Sequence, residues 1–155
     1  PRVLDAFPDA RFLLVGDGEL RAELQAQAVR LGVQKHFIFA GQHDNPAAYF
    51  QQMDLFVLPS LWEGVPIVAL ESIASGVPVV ATDIPGTREL IKSGHSGWLV
   101  PPQDSRALAD AIIAALRDPA KALEYTRRAK CILPEFGMDT IAGKYIELYR
   151  KLLSA

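Results

Sequence analysis

Short apolar runs alternate with stretches of helical periodicity along this chain, and that alternation leaves few folds open. Phe12-Leu13-Leu14-Val15 is a continuous apolar run of strand length ended by Gly16-Asp17-Gly18. Phe37-Ile38-Phe39 precedes Gly41, and Leu55-Phe56-Val57-Leu58 is closed by Pro59-Ser60. Val77 to Ala81 reads as a fourth strand with Pro78 near its start, where a missing N–H is tolerable, and Trp98-Leu99-Val100 as a fifth. Between them lie helical patterns. Leu20, Leu24, Ala28 and Leu31 share one side of a helix stopped by Gly32. Pro46 to Met53 reads as a helix with Asn45 as N-cap, and Pro66 to Ser75 as another, with Pro66 in the first turn. A short helix is expected over Thr87 to Lys92. Three more close the chain: one carrying Leu108, Ile112 and Ala115 and ended by Asp118-Pro119, one over Ala120 to Ile132, and a last with Ile141, Tyr145, Leu148 and Leu152 on its apolar face. Buried-type strands separated by helices predict a doubly wound, Rossmann-like α/β fold, a parallel sheet with helices on both faces.

Composition narrows the function classes. The chain has 155 residues, half of them hydrophobic, with 22% charged and a net charge of −2, as for one domain able to bury a core. The densest basic group, Arg127, Arg128 and Lys130, falls on an expected exposed helix, so no nucleic-acid partner is expected. No apolar run approaches the roughly 18 to 20 residues of a membrane span. Cys131 is the single cysteine, which excludes an intramolecular disulfide and leaves no basis for a thiolate cluster. No pair of histidines has metal-ligand spacing, and a cytoplasmic setting is expected. Val3, Leu4 and Phe7 have helical spacing behind Pro1, which reads as the tail of a helix begun upstream, so a fragment is expected.

In such sheets ligands bind at the carboxyl ends of strands. Three loops qualify. Gly16-Asp17-Gly18 lacks the third glycine of a dinucleotide fingerprint, since Arg21 stands there; it is a tight turn or a ligand loop, and Asp17 fits either role. In Gly41-Gln42-His43-Asp44-Asn45, His43 and Asp44 allow an acid–base reading, against a helix entrance capped by Asp44 or Asn45. His36 and His95 read as strand-edge and turn residues.

The third loop runs from Ser60 through Trp62, Glu63 and Gly64 to Glu71. Backbone N–H groups around Gly64, Val65, Ile67 and Val68 would sit at a helix start, where partial positive charge suits a phosphate. Gly64 permits close backbone approach. A carboxylate would repel phosphate, so Glu63 is better suited to accept from hydroxyls on a neutral part of the same ligand, and the two oxygens of Glu71 match the two hydroxyls of a ribose. The alternatives are that Glu71, Ser72 and Ser75 form the wet face of a helix and that Glu63 is a loop carboxylate in water.

Glu63 and Glu71, with seven residues between them, resemble the E-x7-E motif of the retaining glycosyltransferases of family 4, which have the two-domain GT-B fold. The likeness extends, in order, through Val15–Gly18, Asp54–Ser60, Leu70–Thr82 and Gly94–Pro102, and covers essentially the whole chain as that family's C-terminal domain. The resemblance implies that Glu71 holds the ribose, that Glu63 contacts the donor sugar as the catalytic-site carboxylate, and that the backbone of Gly64, Val65, Pro66, Ile67 and Val68 lies along the diphosphate and sugar. It places Gly41 and Gln42 near the base, with Gly16 and Gly18 completing the donor-binding set. It implies a UDP- or GDP-linked sugar as substrate, hexosyl transfer with retention, and no cofactor and no metal held by an Asp-x-Asp motif. Two departures from the family pattern are Gly64-Val65-Pro66 in place of Gly-Phe-Gly, which removes one N–H, and Pro85-Gly86 in place of paired glycines.

The family's domain also begins with a strand and helix carrying an Arg and a Lys, preceded by an acceptor-binding N-terminal domain. Residues 1–155 therefore read as a single, incomplete donor-binding domain lacking the usual first strand, inactive by itself. That strand is central, between those at Phe12 and Leu55. Without it those two strands pair directly, exchange elements with a second copy, or bind a partner, and self-association is expected. The parent would touch a membrane surface, if at all, through the absent domain. Two other readings stand beside this one: half of a sugar-nucleotide epimerase, and a non-catalytic α/β fragment that only assembles.

Overall fold

The structure, a computed structural model, describes residues 1–43 and 47–154. Its elements are α1 (Arg2–Ala6), β1 (Phe12–Val15), α2 (Arg21–Arg30), β2 (Phe37–Gly41), α3 (Ala47–Phe50), β3 (Phe56–Leu58), α4 (Ile67–Ser75), β4 (Val79–Thr82), α5 (Pro85–Arg88), β5 (Trp98–Val100), α6 (Ser105–Arg117), α7 (Pro119–Ala129) and α8 (Met138–Leu153), with 3-10 turns at Gln34–His36 and Lys130–Phe136. All strand pairings are parallel. β1 pairs β2, and β3 pairs β4, which pairs β5.

Alternation along β4 organises two cores. Val79 and Ala81 face one side with Leu58, Ala69 and Ile73 of β3 and α4 and with Leu90, Ile91 and Ala129. Val80 faces the other with Val3 of α1 and Ile112 and Ala115 of α6. Successive side chains of a strand point to opposite faces, so both faces of the sheet are covered by helices. The doubly wound architecture is as the sequence predicts.

The sheet itself is not continuous. β1 and β3 share no ladder, giving a two-stranded and a three-stranded sheet. In the doubly wound order 3-2-1-4-5-6, β2 and β1 take the positions of strands 3 and 2, and β3, β4 and β5 those of 4, 5 and 6. The break falls at the position of strand 1. The two sheets are held side by side from below, where Phe12 of β1 and Leu55 and Val57 at β3 pack on the Val80–Ile112 cluster. Burial records the break: every residue of β4 is buried, whereas β1 is half-exposed throughout and only Leu58 of β3 is buried.

Several element limits differ from the sequence reading. The fourth strand starts at Val79, not Val77, because Val77 serves the exit of α4. Gly76, at φ 85°, ends that helix in the left-handed conformation, and the Val77 N–H donates to Ser72 O at 3.0 Å. The short helix is Pro85–Arg88, not Thr87–Lys92, because Pro85 opens it and the Thr87 hydroxyl accepts from the Ile84 N–H at 3.2 Å. α7 gives way to a 3-10 turn after Ala129, short of Ile132, ahead of Pro134. The helix expected over Pro46 to Met53 is described as Ala47–Phe50, and its expected caps Asp44 and Asn45 lie outside the described residues. Of the stripe on α2 only Ala28 is buried, since the small β1–β2 sheet offers little to cover Leu20, Leu24 and Leu31. α8 has no buried residue, and Tyr145, Leu148 and Leu152 are exposed.

Ile73 is fully buried in the first core. Ile73→Ala should cost about 2–5 kcal/mol in a denaturant titration, whereas Leu148→Ala on the uncovered helix should stay within about 0.5 kcal/mol. Equal costs would contradict the packing described.

Candidate functional site

The loop from Pro59 to Pro66 leaves the carboxyl end of β3 and enters α4. Ser60 Oγ donates to Glu63 Oε1 at 2.8 Å, which holds the half-buried carboxylate inside its own loop. Thr82, the last residue of β4, donates from Oγ1 to Ser60 O at 2.5 Å and so ties the loop to the sheet. Pro66, extended at φ −72° and ψ 102°, is the N-cap of α4, and no side chain caps the helix.

The consequence is a row of uncommitted donors. Among the described residues the N–H groups of Gly64, Val65, Ile67 and Val68 have no hydrogen-bond partner in the protein, and all four residues are exposed. The first turn of a helix always leaves such groups open; here the preceding loop adds two more on exposed residues. Pro66, expected among the contact residues, is buried and has no N–H, so it shapes the loop and donates nothing. Leu61, Trp62, Val65, Ile67 and Val68 are exposed apolar neighbours of this row, a concentration that marks a surface used for contact.

Glu71 lies one turn beyond Ile67 on α4, on the same side of the helix, half-exposed and without hydrogen bond or ion pair among the described residues. Ser72 is not part of a wet face: it is fully buried, with Oγ donating to Val77 O at 3.2 Å. Of the polar-face alternative only Ser75 remains exposed beside Glu71.

The loops after β1 and β2 meet each other. The Gly16 N–H donates to Gly41 O at 2.7 Å, and Arg21 reaches from Asp17 Oδ2, at 3.0 Å, to Phe39 O, at 3.1 Å. Asp17 also accepts from the Gly18 N–H at 2.8 Å, so it is a turn residue. Gly16, Gly18 and Gly41 thus form one group, with Gln42 exposed next to it. Among the described residues no hydrogen bond joins this group to the Glu63–Glu71 group. His43 lies with Nε2 3.0 Å from Ala40 O and its ring against that of Tyr49, a local anchor. His36 and His95 likewise hold turns, through Ala10 O and Arg128.

Two contributors were not foreseen from the sequence. One is the Thr82 hydroxyl. The other is the contact made by Gly86, buried in α5, whose backbone lies against the Gly64 and Glu63 carbonyls. The first basic residue after β4 in the sequence is Arg88, whose Nε donates to Asp83 Oδ1 at 2.6 Å and holds that carboxyl below its ordinary range. No group of three or more His, Cys, Asp or Glu suited to a metal occurs among the described residues. None of the described helices is long and apolar enough to cross a membrane.

Comparison with known proteins places the chain in a family and agrees with its fold. The model of the family "Glycosyl transferases group 1" matches residues 1–118. The phosphatidyl-myo-inositol mannosyltransferase of Mycobacterium leprae is 32% identical over 100% of this chain and 41% of its own length. An Escherichia coli UDP-Gal:alpha-D-GlcNAc-diphosphoundecaprenol alpha-1,3-galactosyltransferase is 32% identical over 72% of this chain and 29% of its own. HepE of Anabaena, whose crystal structure is a complex with UDP, superimposes with a TM-score of 0.87 at 28% identity, over 97% of this chain and 44% of its own. The chain therefore spans less than half the length of each of these three relatives. On the family match, supported by relatives and fold, the chain belongs to the glycosyl transferases group 1 family.

Proposed function

We propose that this chain is the donor-binding part of a retaining, family 4 hexosyltransferase of GT-B architecture, and that its ligand is a nucleoside diphosphate sugar, most simply a UDP-sugar. The observation that carries the reading is the row of four N–H groups, unpartnered among the described residues and carried by exposed residues, at the start of α4, flanked by Glu63 and Glu71. Anions are favoured at a helix N-terminus. A pyrophosphate along Gly64–Val68 brings the ribose hydroxyls to Glu71 and the sugar hydroxyls to Glu63, each carboxylate acting as acceptor. Gly16, Gly18, Gly41 and Gln42 close the base side. UDP is preferred over GDP because the HepE complex contains UDP and the E. coli relative is named for UDP-Gal.

The chemistry of transfer needs more than this. Negative charge develops on the departing diphosphate, and fixed cations must meet it. In this part of the molecule the diphosphate has backbone dipoles only, since Arg88 is engaged by Asp83 and Arg21 by Asp17. The further charges belong, on this reading, to a first strand and helix of the donor-binding domain, and the acceptor site to an N-terminal GT-B domain, which is also the part that would approach a membrane surface. The protein acts in the cytoplasm, where nucleotide sugars are supplied. The isolated 155-residue chain should transfer no sugar from a panel of nucleotide sugars, and turnover would contradict the division of labour.

A second reading, a non-catalytic α/β body that assembles with itself, is favoured by the unpaired inner edges of β1 and β3 and the uncovered face of α8. The epimerase reading has no such observation behind it. Sedimentation at micromolar concentration should give a mass above the 17.0 kDa of one chain; a clean monomer would count against assembly through these edges.

Titration with UDP, GDP and ADP, followed through Trp62 beside Glu63, separates donor binding from assembly alone. Hydrogen bonds to a charged group contribute about 1.5–3 kcal/mol, so Glu71→Ala should weaken UDP at least about tenfold. Indifference of the chain to all three nucleotides would favour the purely structural reading.

A further inference from the structure

We propose that Gly86 and Thr82 are positioning residues for the diphosphate subsite: the β4–α5 turn is the seat that holds the Ser60–Gly64 loop in its donor-exposing shape. The inference rests on the donor-site reading above and adds to it two residues that touch no ligand. The first observation is the approach of Gly86. A Cβ on that residue would stand 1.7 Å from Gly64 O and 2.6 Å from Glu63 O, where ordinary contact begins at 3.4 Å. Both obstructing atoms are backbone, so no side-chain rotation relieves the clash. The loop as a unit must lift. The Gly64 carbonyl and the Val65 N–H belong to one planar peptide, and the Glu63 carbonyl shares its peptide with the Gly64 N–H. Displacing these carbonyls therefore moves two of the four free donors.

The second observation is a relay of hydroxyls that reaches the same loop from the same turn. The buried Thr87 donates from Oγ1 to Thr82 O at 2.5 Å, Thr82 donates to Ser60 O at 2.5 Å, and Ser60 donates to Glu63 Oε1 at 2.8 Å. Thr82 and Thr87 are 3% and 0% exposed. Ser60 is half-buried and its O accepts from Thr82 Oγ1, so removal of the Thr82 hydroxyl leaves that carbonyl without its donor and releases Ser60, the residue that orients Glu63, from the sheet. Gly86 fixes the loop by contact and Thr82 by hydrogen bond. Gly97, whose Cβ would meet Ile91 Cγ2 at 2.8 Å and Val79 O at 3.0 Å, makes a comparable close approach in the first core and lies against no site residue.

The test is the affinity of the 155-residue chain for UDP and for UMP, by calorimetry, in wild type, Gly86→Ala, Thr82→Val and Thr82→Ser. UMP keeps the ribose contact at Glu71 and lacks the second phosphate. Gly86→Ala and Thr82→Val should lose tenfold or more in UDP affinity while UMP stays within twofold, and Thr82→Ser, which keeps the hydroxyl, should match wild type. UDP and UMP weakening together, in step with the melting temperature, would give the two residues a purely structural role and overturn the proposal. So would wild-type UDP binding in Gly86→Ala and Thr82→Val, or failure of both variants to fold. A wild-type chain that ignores UDP, or a Glu71→Ala variant that binds it normally, instead removes the donor-site reading itself.

Discussion

The last residues of β4 connect the fold to the site. Val79 to Thr82 form the one described strand hydrogen-bonded on both sides, and their alternation feeds two separate cores. At its carboxyl end the same strand turns its polar residue, Thr82, toward the neighbouring loop and there holds Ser60. Four residues later the chain presses the Gly86 backbone against Gly64. The packing that stabilises the sheet and the contacts that shape the β3–α4 loop are therefore one continuous arrangement. A perturbation of β4 reaches both.

What that arrangement delivers is a set of backbone donors. Loops that must present N–H groups outward cannot also satisfy them internally, and burying them without partners would be costly. The chain resolves this with Pro66, which ends the extended approach to α4 without supplying a competing donor, and with exposed apolar residues around the row. Glu63 is restrained by Ser60 and not by a cation, so its free oxygen remains an acceptor for neutral hydroxyls.

Much of this was legible in the residues. Continuous apolar runs between helical stripes gave the parallel, doubly wound class, and Gly64 with Pro66 ahead of an apolar helix marked the donor row. The spacing of Glu63 and Glu71 put them at the two ends of it. Other features were not legible, for physical reasons. Pattern does not distinguish a strand from the exit of a left-handed helix cap, so Val77 and Pro78 were misassigned. Amphipathic stripes report what a helix is able to bury, not what is present to cover it, which is why the Leu24 stripe reads as buried while Leu24 stays exposed. The seat formed by Thr82 and Gly86 depends on backbones distant in sequence meeting at less than side-chain separation. A glycine just after a strand hints at such an approach but does not say to what.

The break between β1 and β3 divides the strands into two sheets. Two sheets sharing a core but no ladder leave inner strands half-exposed, unlike β4. The central claim is narrower than the fold and can be tested directly. Amide chemical-shift perturbation on adding UDP to the labelled chain should concentrate on Gly64, Val65, Ile67 and Val68, with Gly143 on α8 unmoved. Shifts that leave those four amides in place while UDP binds elsewhere would contradict it.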